Sequence, residues 1–517
     1  MGKSKTDPET KLATLEQSAL QGDPKAATKL KSEGKLSARE RVARLLDPES
    51  FVEEFMLAET QCTDFGMTEK KLPSDGVVTG FGKIAERPVY VFAQDRSILA
   101  GTVGSAHAEK IAYVIQTARK VGVPLIGLWD SAGARIQEGL SVTTAIGKIF
   151  FENSITSGAI PQISAIMGPC IGVGSYAPAL TDFILMVEKS SQMFITGPAV
   201  IKEVLGEEVT MEELGGTKIH SEVSGVTDLI AKNDEECLAL IRRLIAFLPS
   251  NFQSAPPRQA TNDDASRSLD NLKQIVPEDM RKAYNMLQVI KAIVDESDFL
   301  ELKAKFARNL VIGLGRLDGY PTGFIANQPM FLGGSLDVDA SDKAARFIRF
   351  CDAFNIPIIT LMDVPGFFPG KQQEQKGIIR HGAKMLYAYA EATVPKITLI
   401  LRKGYGGAKQ AMCTREMGAD QLFVWPGVEL AVMGGGGAVN VLYKREIDQS
   451  PDPEKTRKEK LAEFTERFSG PFEALSKQFA HAAIRPDETR RRLIQSLAIL
   501  RGKKEERPRK KHAVMPV

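Results

Sequence analysis

The sequence predicts an α/β chain built twice over. Three observations carry this: strand-like and helix-like stretches alternate along the chain, one offset relates the first half to the second, and each half holds the same pair of glycine-marked turns. The first 50 residues are polar and read as amphipathic helices, with Ser37 capping the run that follows it. Residues 89–93 (VYVFA) read as a strand. Residues 107–121 place Ile111, Val114, Ile115, Ala118 and Val121 at helical spacing. Residues 123–129 and 162–167 read as buried strands. Residues 153–181 carry no charge, but Pro161, Pro169 and Pro178 and four glycines break them. They therefore read as strand, glycine turn and helix start, and not as a membrane span. The Pro-, Ser- and Asn-rich stretch 256–275 is the expected linker between a first domain, 1–255, and a second, 276–517.

The repeat is specific. Gly80 and Gly82 recur as Gly313 and Gly315, an offset of 233 residues. The same offset links Pro88 to Pro321, Lys110 to Lys343, Pro124 to Pro357, Asp130 to Asp363 and Gly133 to Gly366. The strand after Pro161 recurs after Pro395, at 234. Generic β–α periodicity would not fix proline, lysine and Asp-x-x-Gly together. Two similar α/β domains follow.

Composition narrows the function. The chain has 517 residues, 43% hydrophobic and 25% charged, with a net charge of +3, so no basic field argues for nucleic acid. Five scattered cysteines without a CxxC pair weigh against a zinc site and fit a reducing compartment. The N-terminus lacks an apolar leader, and a cytoplasmic protein is expected. There is no Walker A loop, and GFGK at 80–83 lacks the third glycine of a dinucleotide fingerprint. No Ser–His–Asp or Cys–His spacing stands out. His381, Cys170 and Cys413 read as structural.

What remains is glycine-rich backbone. Each half has a strand ending in Asp-x-x-Gly, DSAGARIQEG at 130–139 and DVPGFFPG at 363–370. Each also has a strand followed by a glycine turn and a helix, GPCIGVGSYAPALTDF at 168–183 and RKGYGGAKQAMCTREMGAD at 402–420. Such a turn serves as a packing turn, a phosphate loop or an oxyanion hole, since N–H groups at a helix start have no intrahelical acceptor. An enzyme with oxyanion donors and no visible acid or nucleophile would take its base from a substrate or cofactor.

At these residues the sequence resembles the carboxyltransferase subunits of biotin-dependent acyl-CoA carboxylases and decarboxylases, the propionyl-CoA carboxylase β and methylmalonyl-CoA transcarboxylase kind. GKLSARERVARLLDPESFVE (34–53), DSAGARIQEG, GPCIGVGSYAPALTDF, QEQKGIIRHGAKMLYAYAEATVPK (373–396), YGGAKQAM (405–412) and RPDETRRRLIQSLAIL (485–500) carry it. The resemblance implies a duplicated crotonase-like ββα-spiral fold and a homohexamer with each site between the first domain of one subunit and the second domain of another. It implies acyl-CoA on the first domain, and biotin, held by a separate carrier protein, on the second. It places one oxyanion hole at Gly172 and Val173 and the other at Gly407 and Ala408. It puts substrate contacts at Ala132, Gly133, Ala134, Arg135 and Tyr176, at Asn327, Gln328, Gly333 and Gly334, and at Gln410. The chain departs from the family where Val173 and Ala132 replace glycines and where Gln410 replaces an aspartate that influences acyl-chain choice. It carries no biotinylation motif and no ATP-grasp signature, so a biotin carrier and a biotin carboxylase subunit are the expected partners. Three alternatives stand beside this reading: the same site run in reverse as a decarboxylase, a hydratase or isomerase of the same fold, for which Glu138 alone is a weak acid, and a non-catalytic CoA-binding subunit.

Overall fold

A computed structural model describes residues 7–21, 24–70, 73–468 and 470–517. The chain divides into two compact units, Met1–Ser254 and Ala255–Val517. The first unit holds β1 (Val52–Glu54), β2 (Val77–Ile84), β3 (Arg87–Gln94), β4 (Leu125–Ser131), β5 (Gln162–Ile171), β6 (Phe183–Val187), β7 (Gln192–Phe194) and β8 (Leu229–Ala231). The second holds β9 (Phe299–Leu302), β10 (Leu310–Leu317), β11 (Tyr320–Asn327), β12 (Ile358–Val364), β13 (Lys396–Tyr405), β14 (Gln421–Val424), β15 (Glu429–Ala431) and β16 (Ala482–Ala483).

Each unit is one mixed sheet, in the order β1-β2-β3-β4-β5-β6-β8 with β7 on β5, and β9-β10-β11-β12-β13-β14-β16 with β15 on β13. The first three strands of each are antiparallel and the rest parallel. The register repeats with the sequence. Val77 pairs with Gln94 as Leu310 pairs with Asn327, and Tyr90 pairs with Leu125 as Gly323 pairs with Ile358. The strands are buried on both sides, as parallel strands under helices require. Between β3 and β4 runs the helix Ser105–Val121, which packs against the helix Leu140–Thr156; Val338–Ala353 and Ile378–Glu391 do the same in the second unit.

Local chemistry explains the duplicated residues. A Cβ on Gly80 would lie 2.1 Å from the Val52 carbonyl oxygen, and one on Gly313 would lie 2.4 Å from that of Leu300. Only glycine lets the edge strands β1 and β9 approach this closely. Lys110 and Lys343 are buried, and their ammonium groups tie down the chain entering β2 and β10. Lys110 donates to the carbonyls of Ser74 (2.9 Å) and Val77 (2.5 Å), and Lys343 to those of Lys303, Phe306, Ala307 and Leu310. Ser37 caps the helix Ala38–Leu45 through a reciprocal box with Glu40.

The stretch 256–275 belongs to the second unit despite its composition. Leu269 and Leu272 are buried in it, and the buried Arg490 donates to the carbonyls of Asp263 and Asp264. Among the described residues, no helix is long and apolar enough to cross a membrane.

Candidate active site: one glycine turn in each half

Both glycine turns leave the C-terminal end of a buried strand. At the end of β5, Gly172 takes φ +71 and opens a short 3₁₀ turn, Gly172–Ser175, continued by the helix Tyr176–Ala179. At the end of β13, Gly406 takes φ +58 and opens the helix Gly406–Ala411. These φ values suit glycine and few other residues. The register fixes which residues correspond. Ser131 pairs with Cys170 in one sheet as Val364 pairs with Gly404 in the other. Two residues on, Gly172 matches Gly406. The first-half counterpart of Gly407 and Ala408 is therefore Val173 and Gly174, one residue beyond the pair expected from the motif. The register pair and the motif pair, Gly172 and Val173, share Val173. The turns have room for a ligand. A Cβ on Gly174 or Gly407 would meet nothing within 4 Å, and one on Gly172 would meet only the Ile195 carbonyl, at 3.8 Å.

Each Asp-x-x-Gly strand end is held by a buried ion pair. The Asp130 carboxylate accepts from Arg41 (3.1 Å) and Arg96 (3.4 Å), and its backbone N–H donates to Gln94. Asp363 accepts from Arg402 (2.9 Å) and the Lys403 N–H (3.2 Å), and its backbone N–H donates to Asn327. The arginine comes from different places for a steric reason. The counterpart of Arg402 is Gly168, where a Cβ would sit 1.9 Å from the Asp130 carboxylate. The first unit supplies Arg41 from its N-terminal helix instead.

The loop after β4 is stitched to the chain following β3. The Ala132 N–H donates to the Ala100 carbonyl, Gly133 takes φ +103, and Ala134 bridges Val103. Arg135, expected at the substrate, turns inward. It is 1% exposed and donates to Asp75 (2.6 Å), Glu138 (3.0 Å) and the Thr102 carbonyl (2.9 Å). Its guanidinium holds the loop. Asn327 and Gln328 also point into the protein. Both are buried, with Asn327 bridging the Gly334 carbonyl and the Asp363 N–H, and Gln328 bridging Asn285 and the Met286 N–H. Gly333 is exposed, whereas a Cβ on Gly334 would lie 2.8 Å from the Asp363 carbonyl oxygen. Tyr176 is half-exposed beside the first turn, edge-on to Phe150. Gln410 is half-buried and accepts a hydrogen bond from the Thr414 hydroxyl.

Four side chains that could act as acid, base or nucleophile are buried or held. Burial pulls His107 down to about 3, and its ring nitrogens face the Asp75 carbonyl and Gln94, so it stays neutral. Burial pushes the Cys170 and Cys413 thiols up to about 12, far from thiolate. Burial also raises Glu138, but hydrogen bonds from Ser105 and Thr60 and the charge of Arg135 outweigh it and leave its pKa below the ordinary glutamate value. A carboxyl held below its ordinary pKa is a poor proton donor for a hydratase.

The sequence pattern of the carboxyl transferase domain matches residues 29–515. The chain belongs to that family. It is 49% identical over 502 residues to the methylmalonyl-CoA decarboxylase subunit alpha of Propionigenium modestum, covering 97% of both chains. It is 50% identical to the carboxyltransferase subunit of propionyl-CoA carboxylase from Haloferax mediterranei, covering 94% of each. The crystal structure of a transcarboxylase 12S hexamer with methylmalonyl-CoA bound superimposes with a TM-score of 0.96 at 45% identity, over 100% of this chain and 99% of that one. The family expected from the motifs is the family found, and the twofold crotonase-like fold agrees with the solved carboxyltransferase. Decarboxylase and carboxylase relatives are equally similar, so identity does not choose a direction.

Proposed function

We propose that this chain is a carboxyltransferase subunit that moves a carboxyl group between biotin on a carrier protein and the α-carbon of a short acyl-CoA. The observation that carries the reading is the pair of equivalent, open glycine turns, one in each half, in a chain of this family. Biotin supplies the ureido nitrogen that carries the carboxyl group and, once free, takes up the α-proton. The chain supplies charge stabilisation. In the first half the N–H groups of Val173 and Gly174 face the thioester oxygen, where negative charge develops as the α-proton leaves. In the second half those of Gly407 and Ala408 face the ureido oxygen. Loss of one such donor costs about 10²–10³ in rate. Microscopic reversibility lets the same groups serve carboxylation and decarboxylation. The need for no side-chain base fits His107, Cys170, Cys413 and Glu138, each of which is tied up.

The purified chain, given free biotin and a panel of acyl-CoAs, will move carboxyl only in the presence of biotin, and avidin will abolish the transfer. Activity that persists with avidin would favour the hydratase or isomerase reading. On solution mass, light scattering will find six copies of the 56.5 kDa chain, in line with the hexamer of the solved relative. A fully active monomer would remove the split site between subunits. The biotin carrier and biotin carboxylase are separate chains in this reading. We place the protein in the cytoplasm, because all five of its cysteines are free thiols.

Gln410 sets acyl preference in this account. Gln410→Asp and Gln410→Ile shorten or strip the amide that Thr414 holds, and each will shift the kcat/KM ratio between acyl-CoAs. One methylene in an apolar pocket is worth roughly 10–200-fold. CoA affinity will hardly change. If both variants keep the wild-type order and ratios, Gln410 selects nothing.

A further inference from the structure

Three buried lysines of this chain, Lys110, Lys343 and Lys396, sit in carbonyl cages. Lys396 donates to Tyr389 (2.8 Å) and Ala392 (2.7 Å), and Lys110 and Lys343 are caged as described above. Lys409 is the contrast. It is half-buried in the helix Gly406–Ala411, next to Ala408, and its ammonium has no hydrogen-bond or ion-pair partner among the described residues. Glu416 acts on it only through space, and burial lowers its pKa. A cation held partly out of water without a partner is costly, and the cost disappears when an anion arrives.

The side chain leans the right way for that. Its Cγ lies 3.4 Å from where a Cβ on Gly404 would stand, two residues before the turn. Helical side chains tilt toward the N-terminus of their helix. The stem thus leans toward the end of the helix where the Gly407 and Ala408 N–H groups open. The first half does otherwise. The counterpart of Lys409, at the same 234 offset, is Ser175, whose hydroxyl donates back to the Gly172 carbonyl at 2.6 Å and closes its own turn. The duplication has kept the turn twice and placed a free charge at only one of the two.

We propose that the Lys409 ammonium is a third, charged donor at the second turn, acting beside the Gly407 and Ala408 N–H groups on the negative charge of the biotin-side substrate. The assignment rests on the reading that this turn serves biotin. Lys409 takes no proton and forms no bond to substrate; it lowers the energy of the anion by position and charge. The sequence offered no sign of this, since a single lysine in the helix Gly406–Ala411 reads as surface.

Lys409→Met keeps the stem and removes the charge. It will fold with the wild-type melting temperature and bind acyl-CoA with wild-type affinity by calorimetry. Its kcat for carboxyl transfer to free biotin will fall on the order of 100-fold. Lys409→Ala will regain part of its lost rate with added ethylammonium, which a structural role would not allow. A readout independent of turnover is labelling of Lys409 by an amine-reactive reagent, followed by peptide mass mapping. Free biotin will slow the labelling and acyl-CoA will not. A Lys409→Met rate within twofold of wild type would overturn the proposal, as would protection by acyl-CoA instead of biotin. Wild-type protein that moves no carboxyl group to biotin would overturn the functional reading, and this proposal with it.

Discussion

Gly406→Val will lower carboxyl transfer to biotin by about 10²–10³-fold while leaving acyl-CoA binding intact. Gly406 takes φ +58, and a Cβ there would lie 3.1 Å from the Val432 carbonyl oxygen. A β-branched residue is disfavoured at positive φ on steric grounds, and here its branch would also press on the carbonyl of Val432, just beyond β15. The turn must open, and the N–H groups of Gly407 and Ala408 leave their aim. The loss expected is that of one donor or more. Single-turnover transfer from an acyl-CoA to free biotin gives the rate, and calorimetry gives the acyl-CoA affinity. A valine variant with wild-type turnover would show that this turn does not hold the reacting charge. Because the two turns belong to separate halves, Gly172→Val should instead impair the acyl-CoA side.

Asp363→Ala will destabilise the second unit by about 3–5 kcal/mol, the range for removing one partner of a buried ion pair. Asp363 is 0% exposed and Arg402 3%, and Lys403 also faces the carboxylate, through its backbone N–H and, at 3.9 Å, its ammonium. Truncation leaves the Arg402 guanidinium with the carbonyls of Pro277, Asp279 and Lys282 and the face of Tyr284, none of which carries charge. Asp363→Asn preserves the acceptor geometry and should cost less. Urea unfolding followed by fluorescence of Trp425 in the second unit measures both. A midpoint unchanged in Asp363→Ala would mean that the pair contributes nothing.

Much of this architecture was legible in the sequence because duplication writes itself in register. Gly80 and Gly313, Lys110 and Lys343, and Asp130 and Asp363 recur at one spacing because each meets the same constraint: a close edge strand, a carbonyl cage, a buried arginine. The turns were legible for the same reason. Motif and register name different pairs in the first half, Gly172 with Val173 and Val173 with Gly174, because a motif is matched by its glycines whereas a register is counted from the strand that ends before it. Polar residues in the family motifs were read as substrate contacts, and the structure shows what they hold within the chain. Arg135, Asn327 and Gln328 are polar because they satisfy buried backbone, and residue type alone does not say which way a side chain faces. The stretch 256–275 looked like a spacer because composition records few apolar residues, although Leu269 and Leu272 are enough to pin it. Lys409 was invisible, since what sets it apart is the partner it lacks.

The central claim is that this chain passes a carboxyl group between an acyl-CoA and biotin. The most direct measurement gives the purified chain methylmalonyl-CoA labelled in its free carboxyl group, together with free biotin, and follows the label. The account predicts label on biotin and unlabelled propionyl-CoA in equal amounts, with no label moved when biotin is omitted. Label that never reaches biotin, while the thioester is consumed at the same rate with or without it, would contradict the account.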